Sequence, residues 1–237
     1  MDPIVNGLVF YTVFVYSTSF HEAAHAWAAL KGGDSTAYDG GQVTLDPRPH
    51  IQREPIGMVV MPLISLLVAG WPLGFASAPY NTDWASRHPD RAGWMALAGP
   101  GANLLLVLLA AVAINIGLSA GVFTWSKQVE FADVTAAVAG TQSMWHSVGY
   151  LLGTVFSMNL LLALFNLLPL PPLDGSAAVV LLLPENKKRA FQNFLWANPQ
   201  IGLFGLFVGW KVFHSLFRPA FNYALNALYF LHDVSYT

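Results

Sequence analysis

The sequence predicts an all-α integral membrane protein, a multi-span helical bundle with one broken span, one re-entrant segment and a short cytoplasmic strand or hairpin. Three observations predict it. The 237 residues are 55% hydrophobic and only 10% charged, with a mean hydropathy of +0.50, whereas a soluble domain carries about 25% charged residues. Apolar stretches of the roughly 20 residues needed to cross a bilayer recur at 4–30, 56–78, 94–120 and 148–168, followed by a weaker pair at 201–217 and 220–231. The fourth stretch is broken by prolines and then returns at once to apolar residues. A soluble fold would have to bury several helices that are apolar on every side in one modest core.

The first stretch opens "MDPIVNG", with Asp2 where a secretory leader would carry basic residues, so it reads as a retained span. The net charge of −2 offers no basic field for nucleic acid. The absence of cysteine excludes structural disulfides and thiolate metal sites. With no internal repeat, the chain reads as a single membrane-embedded domain over 1–237, with a core at about 4–185 and a hydrophobic tail at 196–237.

Near the end of the first span stands His21-Glu22-Ala23-Ala24-His25. The four-residue spacing puts both imidazoles on one helical face, where they can share a Zn²⁺, and Glu22 is placed to take a proton from an activated water. Ionisable groups at membrane depth are costly and mark function. The alternative is a helix that has already left the bilayer at Phe20, with the triplet as an interfacial polar cap and Lys31-Gly32-Gly33 as its stop. Two histidines alone are an incomplete site, so a third ligand is needed.

The broken span, "FNLLPLPPLDGSAAVVLLLP" at 165–184, supplies a candidate. Pro169, Pro171 and Pro172 cannot continue a helix, and a span interrupted at depth is tolerated where it lines a cavity or is buried in protein. Within the break stands Asp174, which needs a cation or a donor there. Two imidazoles and a carboxylate, with a fourth position left for water, make a hydrolytic zinc site. The competing reading has Asp174 capping a short helix at 176–183.

At these residues the chain resembles the site-2 proteases, zinc metalloproteases that cut substrates within the membrane. The resemblance rests on "HEAAH" (21–25), "ALAGPGANLLL" (96–106) and "NLLPLPPLDGS" (166–176), in that order, and covers about residues 10–185. "GGQVTLDPRPHIQREPIG" (40–57) resembles the compact branch of the family without PDZ or CBS domains, for which the chain has no room. The resemblance implies that His21, His25 and Asp174 bind one zinc and that Glu22 is the catalytic base. It also puts Asn103 near the active site, holding substrate or supporting it; equally, Asn103 ties two helices together. Gly99 and Gly101 read as helix-packing positions, and Asn159 and Asn166 as braces of the broken span. His50, His88, His146, His214 and His232 read as non-ligands.

The ligands can meet only if the first and fourth spans run parallel, which requires 56–78 to dip in and return. With that fold, and leaving aside Lys211 and Arg218 of the tail, eight of the other nine basic residues (Lys31, Arg48, Arg53, Arg87, Arg91, Lys187, Lys188 and Arg189) share one side and only Lys127 lies on the other. A full crossing divides them four to five. Because cytoplasmic loops are enriched in Lys and Arg, the N-terminus is expected outside a prokaryotic plasma membrane and the zinc toward the cytoplasmic face. Residues 34–55, with Val43-Thr44-Leu45, read as a cytoplasmic strand or hairpin whose edge could pair with substrate. Aromatic residues from Trp196 to Tyr236 read as interfacial anchors. The expected activity is endopeptidase cleavage of transmembrane protein substrates in the bilayer. A hydrolase of lipids or signal-peptide remnants, a non-catalytic metal-containing binder and a transporter are the competing readings.

Overall fold

The protein is described by a computed structural model over residues 3–126, 129–232, 234 and 236, without the side chain of His214. Asp2 and Lys127, on which two of the sequence expectations draw, lie outside the described residues.

Helix α1 spans Pro3–Lys31, about 43 Å at 1.5 Å per residue. It stops at Gly33, whose φ of +96° suits a residue without a Cβ. The Gly33 amide donates to Leu30 O and the Asp34 amide to Ala29 O, closing the last carbonyls. Next come α2 (Thr36–Asp39) and α3 (Pro47–Arg53). The hairpin expected at 34–55 does not form. Asp34 accepts from the Thr36 amide and hydroxyl, while Asp46 accepts from the Arg48 amide with Pro47 opening α3. These two caps start helical turns on either side of Val43-Thr44-Leu45 and leave it no strand partner.

Residues 56–81 enter and return. A π-helical turn (Ile56–Val60) leads into α4 (Met61–Ala69). Pro62 cannot bond the Met58 carbonyl, which instead accepts from the Tyr11 hydroxyl. Gly70, at φ +78°, ends α4, and the chain comes back extended. The Phe75 amide donates to Gly57 O at 3.1 Å. Ser77 then joins the start of the inward limb, donating to Glu54 Oε1 and accepting from Arg53 Nε. The tip reaches Phe131, against which Trp71 packs edge-on. Fourteen helical residues rise about 21 Å, and fewer extended residues recover that height at about 3.3 Å each. Both ends of the segment therefore lie on one side, as the re-entrant reading requires.

Helices α5 (Thr82–Arg87) and α6 (Pro89–Ser119) follow. Strands β1 (Phe123–Trp125) and β2 (Thr135–Ala137) then pair antiparallel, Phe123 opposite Ala137. They form the sole sheet among the described residues, far along the chain from the expected site. Helix α7 covers Ser143–Asn166 and the short α8 Asp174–Ala178. The amphipathic α9 covers Glu185–Ala197, and α10 covers Gln200–Leu228, bent by 52° between Phe213 and Ser215.

Contacts set the directions of the long helices. Along α1, Phe10 stacks on Tyr150, Ser17 meets Asn159 and His21 meets Asp174, so α1 and α7 run parallel. Against α6, His21 meets Asn103, His25 meets Met95, and Gly32 O accepts from Arg91, so α6 is antiparallel to both. One core cluster (Ile114, Val134, Phe156, Leu160, Leu225, Tyr229) lies at the β1–β2 end, and a second (Val13, Phe14, Met58, Met158) lies between α1, the re-entrant segment and α7. Three helices, α1, α6 and α7, are long and apolar enough to cross a membrane; the bent α10 adds a fourth when counted as one span, whereas the other bent pair, α3 with the inward limb at 111°, belongs to the segment that returns.

Candidate metal centre

The site forms where α1, α6 and the break after α7 meet. His21 and His25, one turn apart on α1, are buried at 6% and 7% exposure. Asp174 reaches them because the chain turns after Asn166 and restarts at α8. Gly175 makes that turn possible, since a Cβ there would collide with the carbonyls of Leu167 and Leu168. Asp174 lies in the first turn of α8, which has no side-chain cap. Its Oδ2 turns instead to His21 Nε2 at 3.0 Å and His25 Nε2 at 3.3 Å, and the two Nε2 atoms are 3.0 Å apart.

These three atoms fit a zinc ion. Ligands at about 2.0–2.1 Å in tetrahedral array stand roughly 3.3 Å apart, close to the separations found. Each Nδ1 has its own partner: His21 donates to Asn103 Oδ1 and His25 to Met95 O, which leaves both Nε2 lone pairs for a cation. The donor set, neutral imidazoles plus one carboxylate, is a hydrolytic one. Among the described residues it is the sole cluster of this kind, and no other histidine with a described side chain takes part. His50 donates to Thr44 O and His232 pairs with Asn115; His214's side chain lies outside the described residues.

Glu22, 5% exposed, sits about 100° around the helix from His21. It lines a cavity of about 420 Å³ together with His25 and Asp174, and its Oε2 is buried without a partner. Buried carboxylate oxygens are normally paired, so this one is available to a bound group. The far wall is built from Ser77 and Tyr80 of the re-entrant return and from Trp196 and Pro199 at the α9–α10 junction. Trp196 Nε1 donates to the Tyr80 hydroxyl, joining those two walls, so Trp196 is part of the cavity.

Known proteins share this pattern. The family model for peptidase family M50 matches residues 9–208. The chain belongs to this family. Its relatives include YwhC of Bacillus subtilis, named as a zinc metalloprotease, 34% identical over 172 residues that cover 72% of this chain and 67% of YwhC. Rip2 of Mycobacterium tuberculosis, likewise named, is 28% identical over 193 residues, 80% of this chain and 64% of Rip2. Rip2 of Mycolicibacterium smegmatis is 30% identical over 179 residues, 75% and 58%. The chain thus matches about two thirds or less of the length of these relatives. No solved structure matches it significantly. As an M50 peptidase it is a multi-pass membrane zinc metalloendopeptidase, and the family match runs past residue 185 into α10.

Three features of the M50 site differ from what the sequence alone suggests. Gly99 does more than pack helices: a Cβ there would run into Nε2 of both His21 and His25. Gly101 has open space beside it, so it is not a packing position. Asn159 does not brace the break. It joins Asn103 to Ser17, whereas Asn166 bonds only its own helix at Leu162 O. Ser17 and His21 stand four residues apart on one face, and this polar spacing inside an apolar helix is the available signal.

Proposed function

We propose that this M50 peptidase hydrolyses peptide bonds in or near transmembrane segments of membrane proteins. The observation that carries the reading is the buried, unpartnered Oε2 of Glu22 beside the three convergent atoms of His21, His25 and Asp174, on helices long and apolar enough to cross a bilayer. His21 and His25 through Nε2, and Asp174 through Oδ2, would hold the metal. Bound there, zinc supplies Lewis acidity, bringing the ionisation of water to about neutral pH and polarising a carbonyl. Glu22 takes the proton from the attacking water and hands it to the leaving amine. Asn103 and the Met95 carbonyl keep the imidazoles oriented. The cavity's 420 Å³ is at the small end for ligand pockets, about the volume of a single turn of a helix about 10 Å across. A substrate span therefore unwinds locally before it is cut.

The basic residues at 31, 87–91 and 187–189 gather at one end: Arg91 bonds Gly32 O, Lys188 pairs with Asp90, and Arg189 donates to Ser86 O. That bias supports a cytoplasmic orientation for this end, in a bacterial plasma membrane, with His21 about 15 Å deep from Lys31.

The test is to reconstitute wild type and Glu22→Gln in vesicles with a panel of single-span membrane proteins and map the products by mass spectrometry. Cuts within the spans by wild type, absent with Glu22→Gln at unchanged zinc content, are expected. A fully active Glu22→Gln protein removes Glu22 as base, and cuts confined to soluble segments remove the intramembrane reading.

A further inference from the structure

An asparagine amide offers donors at one end and an acceptor at the other, and a bare amide does not decide which way it points. Here a backbone carbonyl decides. Asn159 Nδ2 donates to Val155 O at 2.8 Å, and a carbonyl only accepts. Its second hydrogen goes to Ser17 Oγ at 2.9 Å. Oδ1 of Asn159 therefore faces Asn103 and accepts from its Nδ2 at 2.8 Å. Asn103 Nδ2 also points at the Ser17 carbonyl, at 3.5 Å, so Asn103 must turn Oδ1 to His21 Nδ1. That nitrogen must then carry a proton, and Nε2 is the atom left to face His25 and Asp174. Ser17, Asn103 and Asn159 are 3%, 0% and 0% exposed, so solvent does not compete for these bonds.

We propose that Asn159 is a positioning residue: acting through Asn103, it locks His21 in the Nδ1–H tautomer, with the polarity of the chain set by the Val155 carbonyl. Partners of this kind fix ring orientation and tautomer at metal-binding histidines. The consequence for zinc rests on His21 being a ligand, as proposed above; the tautomer itself does not.

The experiment compares wild type, Asn159→Ala and Asn166→Ala as full chains in detergent. Asn166 makes the same kind of backbone bond to its own helix, at Leu162 O, with no link to His21, which makes it the control. Zinc affinity is measured by chelator competition, melting temperature in parallel, and the His21 tautomer by ¹⁵N NMR of histidine-labelled, zinc-free protein. The expected result for Asn159→Ala is zinc binding weakened by about tenfold or more and a His21 Nδ1 signal moved from fully protonated to partly protonated, with Asn166→Ala unchanged in both. Unchanged affinity and tautomer in Asn159→Ala overturn the proposal. So does a loss of affinity that simply tracks melting temperature in both variants, which would make Asn159 a helix tie. If Asn159→Ala does not fold, Asn159→Leu keeps the size, removes the Oδ1 acceptor that faces Asn103 and must show the same two changes. Should wild type bind no zinc, the metal reading fails, and the tautomer alone then supports or overturns the lock.

Discussion

The Phe75 amide donates to the Gly57 carbonyl at 3.1 Å, and this bond seats the returning limb of the re-entrant segment against the limb that entered. The two backbones touch because neither Gly57 nor Gly74 carries a side chain. A Cβ on Gly57 would meet the Phe75 carbonyl, and one on Gly74 would meet the Gly57 carbonyl. Ser77 and Tyr80, two residues of the cavity wall, hang from this contact.

Gly57→Ala should therefore destabilise the protein by about 1–3 kcal/mol, the usual range for overpacking. Thermal unfolding in detergent measures it, beside Gly101→Ala. The Gly101 position has open space beside it, and the alanine there should be neutral or slightly stabilising because it suits a helix better.

Gly99→Ala places a methyl group against the Nε2 atoms of both histidines. Zinc binding should fall by about tenfold or more while the melting temperature changes little, since only the imidazoles need give way. Chelator competition checks this. Undiminished affinity would mean that the imidazoles meet a metal elsewhere.

Removing the carboxylate is the sharper test of the centre. Wild type should purify with about one zinc per chain, and Asp174→Ala should lose most of it, because two imidazoles alone leave the ion short of a ligand. Elemental analysis of both proteins gives the ratio. Equal zinc in both would show that the turn into α8 positions Asp174 for another purpose.

Asp34 carries the pH dependence outside the membrane. Burial pushes its carboxyl up, but hydrogen bonds from the Thr36 hydroxyl, the Asn81 amide and the Thr36 amide outweigh burial and hold it below the usual range. A folded-state pKa below the unfolded value stabilises the fold at neutral pH, and that contribution fades as pH falls through the folded value. Asp34→Ala should cost about 1–2 kcal/mol at pH 7, the scale of a lost cap. The gap between variant and wild type should begin to narrow as pH falls below the unfolded value of about 3.9 and keep narrowing toward the lower folded one. Melting temperatures of both proteins from pH 7 to pH 3 measure it.

Much of the fold and of the site is legible in the amino-acid order. His21, Glu22 and His25 can be read because helical spacing alone puts the two imidazoles on one face. Asp174 can be read because a carboxylate beside three prolines in an apolar span demands a cation or a donor. The parallel course of α1 and α7 follows from requiring those ligands to meet, and the basic residues agree with it. The cytoplasmic hairpin expected at 34–55 fails because β-branched composition is a weak signal. Asp34 and Asp46, as local caps, start helical turns there instead.

What the sequence determines by itself is local: which segments enter the bilayer, where they break, and which side chains one turn of helix aligns. Tertiary structure alone decides what approaches from elsewhere in the chain. Ser17 and Asn159 meet across 142 positions, Gly99 clears space for imidazoles from another helix, and Tyr80 meets Trp196 across the cavity. No periodicity encodes these meetings. They arise because three helices must fill one interior and satisfy every polar group within it, a condition on the whole fold that no single segment carries.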